Sequence, residues 1–102
     1  MPSYRLSRDA QQDLRQVTSY TLTKWGEDAV HKYTSGLKDT FEAIGSRTVK
    51  KRTFSKTFPE LLVTKYRFHY VFYLVEGLEK PGIIGVIHER RDIISRLNER
   101  LG

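Results

Sequence analysis

The sequence predicts an α+β fold: an N-terminal strand, a helical hairpin, a mainly antiparallel three-strand meander and a short C-terminal helix. Three observations predict it. Between residues 10 and 44, apolar side chains recur at steps of three and four, the period of an α-helix. Between Leu61 and His88 that spacing gives way to runs rich in β-branched and aromatic residues, broken by turn chemistry. From Ile93 the helical spacing returns.

The elements follow in order. Tyr4-Arg5-Leu6 alternates as a half-buried strand does, and Ser7 offers a helix N-cap with Asp9 in the first turn. Ala10, Leu14, Val17 and Thr21 form one stripe, extended by Leu22 and Trp25, and Gly26 is a stop. Trp25, at the closed end of the hairpin, reads as core packing. Glu27 and Asp28 open a second helix whose stripe is Val30, Tyr33, Leu37, Phe41 and Ile44, ended by Gly45-Ser46. So short a break makes the two helices antiparallel neighbours.

Strands are expected over Leu61–Tyr66, His69–Val75 and Ile83–His88, with a turn from Glu76 to Gly82. Asp92 caps a last helix through Ile93, Ile94, Leu97 and Leu101. In the middle strand Tyr70, Phe72 and Leu74 share one face and Val71, Tyr73 and Val75 the other. Both faces are apolar. The hairpin covers one, and the C-terminal helix or a partner must cover the other.

Composition narrows the function. A chain of 102 residues suits one domain spanning 1–102 that buries about two-thirds of its unfolded surface. There is no cysteine, and His31, His69 and His88 are too widely spaced for a sequence-local metal site, so no metal is expected. No phosphate-binding glycine loop and no G-x-S-x-G elbow occurs, so no cofactor is expected either. The longest apolar run, Val71–Val75, is far short of the ~20 residues of a membrane span, and the N-terminus is charged. A cytoplasmic protein without a membrane partner is the expectation.

The net charge of +6 is concentrated. Residues 46–57 hold Arg47, Lys50, Lys51, Arg52 and Lys56 and no acid, leaving thirteen cations against twelve acids elsewhere. Such a patch addresses an acidic partner within a Debye length, about 8 Å in the cell.

Tyr4-x-Leu6-Ser7 leading into Ala10-x-x-Asp13-Leu14, then Tyr20, Trp25-Gly26, Ala29, Tyr33, Leu37 and Phe41, resembles the ParE branch of the ParE/RelE superfamily of bacterial toxin–antitoxin modules. The likeness resumes at His69-Tyr70-Val71-Phe72-Tyr73 and at Ile87-His88-Glu89-Arg90-Arg91-Asp92. It covers nearly the whole chain except the loop from about Arg47 to Pro59. The resemblance implies the RelE/ParE-like fold and a toxin that binds DNA gyrase, traps the cleaved gyrase–DNA complex and so blocks replication. It implies no catalytic residues. It also implies neutralisation by a ParD-like antitoxin, acidic and partly disordered, that folds on binding into a toxin–antitoxin hetero-oligomer.

Charge and apolar excess mark Lys50, Lys51, Arg52, Arg90 and Arg91, with Ile93, Ile94 and Leu97, for target contact. Arg15, Trp25 and Lys32 on the hairpin are marked for the antitoxin. The alternative is a ribosome-dependent mRNA endonuclease of the RelE type. The last tyrosine here is Tyr73, and after Asp92 Glu99 alone is a candidate acid or base. A ribonuclease would therefore have to be assembled from Arg67, His69, His88, Glu89 and Arg91.

Overall fold

The computed structural model describes residues 2–101. Strand β1 (Arg5–Leu6) leads into helix α1 (Arg8–Trp25), and Ser7 caps it: its hydroxyl accepts the Ala10 N–H at 3.0 Å, with Asp9 in the first turn. Gly26, at φ +91°, reverses the chain in one residue into α2 (Glu27–Gly45). Past Ser46 the left-handed position is taken by Arg47 (φ +61°), whose N–H donates to the Ile44 carbonyl while Thr48 N–H donates to Ala43, both at 3.0 Å.

Strands β2 (Thr53–Ser55), β3 (Phe58–Tyr66), β4 (His69–Leu74) and β5 (Gly82–His88) follow, then helix α3 (Ile93–Leu101). The sheet order is β1-β5-β4-β3-β2, antiparallel except that β1 lies parallel to β5. Two details depart from expectation: β2 lies inside the basic segment, and β3 begins at Phe58 rather than Leu61. Charge masked the first. Phe54 holds β2 down, its ring edge-on to Phe72 at 5.1 Å.

The sheet separates two apolar layers. Val71 and Tyr73 face the hairpin with Ala10, Val17, Leu37, Phe41 and Ile44. Phe72 faces the other side with Leu61, Val63 and Ile87, covered by Leu97 and, at its margin, Ile93. The alternation expected for β4 holds, and α3 supplies the second cover. In β5 a bulge opposite Phe72–Tyr73 shifts the phase, so Ile83 and Val86 share the hairpin face while Ile84 and Ile87 share the other.

The stripe on α1 stops short of its expected end. Leu22 and Trp25 are exposed, Trp25 by 69%. At about 27 Å, α1 outruns β5 at about 23 Å, so its last turn overhangs the sheet. Trp25 is therefore not core packing.

β1 covers only the first residues of β5, and the rest of that edge is closed by side chains. Asp13, buried on α1, accepts the Val86 N–H at 2.9 Å and a two-pronged contact from Arg100 of α3 at 2.7 and 2.8 Å. Arg100 also donates to the Ile84 carbonyl at 3.1 Å. Gly85 makes this possible: a Cβ there would lie 2.7 Å from the Arg100 guanidinium. The pair thus ties the ends of the chain across the open edge.

Candidate functional site

The overhang of α1 forms one wall of a groove of about 530 Å³. The start of α2, the β3–β4 turn, the end of β5 and one side of α3 form the rest.

Tyr33 of α2 organises its floor. Its hydroxyl lies 2.6 Å from His69 Nδ1, accepts the Phe68 N–H at 3.3 Å, and lies 3.4 Å from the Tyr66 carbonyl. Two proton arrangements satisfy these contacts, the hydroxyl donating to Nδ1, or Nδ1–H donating to the hydroxyl while the hydroxyl donates to the Tyr66 carbonyl, and both tie the His69 ring to Tyr33. Burial, helped by the neighbouring His88 ring edge-on at 5.1 Å, lowers the His69 pKa from 6.5 to about 4. His69 is neutral at physiological pH. Burial likewise raises the Tyr33 phenol, against the opposing effect of the Phe68 N–H. Tyr66 packs edge-on to Tyr33 at 5.1 Å, in space left by Gly36, where any Cβ would overlap the Tyr66 ring.

The rim is cationic and aromatic. Arg67 stands in the tight turn at φ +49°, a region that costs a side-chain-bearing residue about 1 kcal/mol. Its Nε donates to the Tyr66 hydroxyl at 3.3 Å and its guanidinium lies over that ring at 5.7 Å. Lys32, Arg91 and Arg96 also line the groove, and the one carboxylate among the lining residues, Asp13, is already held by Arg100. Phe68 stacks near-parallel on His88 at 6.4 Å.

The residues marked from sequence divide sharply. Trp25 and Lys32 line the groove, whereas Arg15 does not. Arg67, His69, His88 and Arg91 come together there, but Glu89 points away and pairs with Lys65 at 3.0 Å, which lowers its pKa. Lys50, Lys51 and Arg52 are exposed on the loop after α2 and line no part of the groove. Arg90 is exposed, its N–H donating to His88 Nδ1 at 3.1 Å. Ile94 is exposed and Ile93 half-buried, while Leu97 is 0% exposed. Leu97 is consumed by the core beneath α3 and is corrected from a target contact to a packing residue.

Sequence reasoning missed Tyr33, Tyr66 and Arg96 as groove residues, and the Asp13–Arg100 pair. The partners lie 33 residues apart for Tyr33 and Tyr66 and 87 for Asp13 and Arg100, beyond any local spacing signal. Among the described residues no group of three His, Cys, Asp or Glu is placed to hold a metal ion. No described helix is long and apolar enough to cross a membrane.

Comparison with known proteins agrees with this architecture. A solved structure described as "Chromosomal ParDE TA system from P. aeruginosa" matches with a TM-score of 0.70 over 86% of this chain and 96% of that one, at 14% identity, a likeness of fold. Toxin ParE1 of Mycobacterium tuberculosis (strain CDC 1551 / Oshkosh) is 26% identical over 88% of this chain and 92% of its own length. Toxin ParE of Escherichia coli is 32% identical over 99% of this chain and 98% of its own. The family model for the "ParE toxin of type II toxin-antitoxin system, parDE" matches residues 4–93. On sequence along its length and on fold, the chain belongs to the ParE toxin family of type II toxin–antitoxin systems.

Proposed function

We propose that residues 1–102 act as one toxin domain that inhibits DNA gyrase in the bacterial cytoplasm by binding and trapping the gyrase–DNA cleavage complex. A ParD-like antitoxin neutralises it. The relationship to Toxin ParE supports the toxin class, and the P. aeruginosa structure, a ParDE system, supports an antitoxin partner.

One observation carries binding over catalysis: the histidine at the heart of the groove is tied to Tyr33 and kept neutral with a pKa of about 4. A general acid or base works best with a pKa near the working pH. At pH 7 His69 is essentially never protonated to act as an acid and is a weak base, and Glu89 lies outside the groove. The site presents held rings and cations, as a docking surface does.

The antitoxin reading uses the groove. An acidic segment with apolar anchors, ordering on contact, would set its anchors against Trp25 and its charge against Lys32, with Arg15 further along α1. The target reading uses Lys50, Lys51 and Arg52 together with Arg90, Arg91 and Ile94, where cations speed encounter with a phosphate-rich complex.

The second reading, mRNA cleavage of the RelE type, is favoured by one fact: Arg67, His69, His88 and Arg91 share the groove. Purified protein with gyrase, ATP and relaxed plasmid, run beside a ribosome-programmed mRNA cleavage assay, separates the two. Lost supercoiling, accumulated cleaved plasmid and intact mRNA are expected. Cut mRNA with normal supercoiling would overturn the gyrase reading.

A further inference from the structure

Three large side chains stand exposed around the groove, and all three are aromatic: Tyr20 by 62%, Trp25 by 69% and Phe68 by 58%. No aliphatic side chain of comparable size stands exposed among the lining residues. Around these rings lie four cations, and the single lining carboxylate is neutralised. Flat π-faces interleaved with positive charge are what a strand of unpaired bases uses, because every base has a face to stack and every linkage a phosphate to neutralise.

We propose that the groove is a binding site for single-stranded nucleic acid, with bases stacking on Trp25, Tyr20 and Phe68 and phosphates meeting Arg67, Arg91 and Lys32. The geometry suits binding without cleavage, and the proposal stands whether or not gyrase is the target. The restraint of Arg67 by Tyr66 presents its charge in a fixed place at the groove mouth. The His69 ring, held by Tyr33, adds a polar ring to the same groove. A consequence is that antitoxin seated in the groove and nucleic acid exclude one another.

Trp25 is the single tryptophan in the chain, so its fluorescence reads this groove directly. The full-length protein is titrated with dT12, with U12, with a 12-base-pair DNA duplex and with a dodecamer of glutamate. Saturable quenching by the single strands is expected, with affinity falling with salt at a log–log slope of roughly −0.7 per phosphate contact, about −2 to −3 in all. A dT12 response without U12 would assign the site to DNA and the reverse to RNA; either sustains the proposal. The duplex and the glutamate peptide should bind at least about tenfold more weakly, having charge without free base faces. Tyr20→Ala and Phe68→Ala should each weaken dT12 at least about fivefold. Arg67→Gln with Arg91→Gln should flatten the salt slope by about 1.4.

Absence of quenching by both single strands overturns the proposal. So does equal binding of duplex or oligoglutamate, which would make the groove a plain anion or peptide surface. Binding that survives the two arginine changes but disappears in the loop variant Lys50→Gln, Lys51→Gln, Arg52→Gln would place it elsewhere and overturn it too. Thermal melts of each variant show whether a loss comes from unfolding. None of these readouts involves gyrase, so failure of the toxin's target assignment and failure of this site are told apart.

Discussion

The basic loop after α2 and the groove at the closed end of the hairpin both present cations, yet they are built in opposite ways. The loop's charges are neighbours in sequence and exposed on a segment tied to the sheet through the Arg52 carbonyl, which accepts the Val63 N–H at 2.9 Å, and through Phe54. The groove draws Lys32, Arg67, Arg91 and Arg96 from separate segments and fixes their surroundings with Tyr33, Tyr66 and a buried ion pair. Adjacent like charges on an exposed loop give a field that steers encounter. Charges assembled by folding give a shape, and shape is what selects a ligand. The difference can be tested by asking how much stability each region carries.

The largest effect belongs to Asp13. Asp13→Ala leaves the Arg100 guanidinium without its partner in a half-buried site and removes the acceptor of the Val86 N–H. Breaking such a pair costs about 3–5 kcal/mol, a large part of the roughly 5–15 kcal/mol a small protein possesses. Urea unfolding measures it. A loss under ~1 kcal/mol would mean that α3 and the β5 edge are held by Leu97, Ile93 and the Arg100–Ile84 bond without help from the ion pair, and that the groove wall is no better anchored than the loop.

Next comes the acid response. His69 takes up its proton near pH 4 in the folded chain and near 6.5 once unfolded. Between those values the unfolded state holds more protons, so stability rises with pH through the window and is lost as pH falls through it. One proton sets the slope at no more than ~1.4 kcal/mol per pH unit, and less because the ring is only partly buried. His69→Gln should flatten the melting temperature between pH 4 and 6.5. An unchanged pH profile in that variant would show that the groove floor is not where the proton is taken up.

How much of this was legible beforehand depended on distance along the chain. Ser7, Gly26 and Asp92 announce their roles because a cap bonds three or four residues away, and Ser95 N–H donates to Asp92 Oδ1 at 3.2 Å as expected. The alternation of β4 was legible for the same reason. The β5 bulge was not: Ile83-Ile84-Gly85-Val86-Ile87 reads as an unbroken strand, and only Arg100, fifteen residues beyond Gly85, explains the glycine. Trp25 was misread because exposure depends on where the sheet ends, which no helical period reports. Four groove residues, Arg67, His69, His88 and Arg91, were visible as residue types in the ribonuclease alternative. Its organiser, Tyr33, looked like one more member of a core stripe.

A smaller effect, of opposite sign, is expected at Arg67. Arg67→Gly relieves the left-handed backbone at φ +49° and should stabilise by about 0.5 kcal/mol, glycine's looser unfolded chain cancelling part of the relief. The same change removes the guanidinium from the groove mouth and should weaken antitoxin binding in calorimetry. Gain of stability with loss of binding is the mark of strain retained for function. Loss of both would mean that the contact with Tyr66 outweighs the strain.

The smallest stability effect is expected at the loop, and it sharpens the comparison most. Lys50→Gln, Lys51→Gln and Arg52→Gln together leave the Arg52 carbonyl and Phe54 in place, so the melting curve should move by no more than about 0.5 kcal/mol. If the loop steers, association with the gyrase–DNA complex should slow several-fold at low salt. The variant and the parent should then converge near 1 M salt, where the Debye length shrinks to about 3 Å. A deficit that persists at high salt would instead mean that these side chains make close, fixed contacts in the complex. The loop would then be a contact surface as the groove is, and its difference from the groove would lie in how it is built, from neighbours in sequence rather than from separate segments.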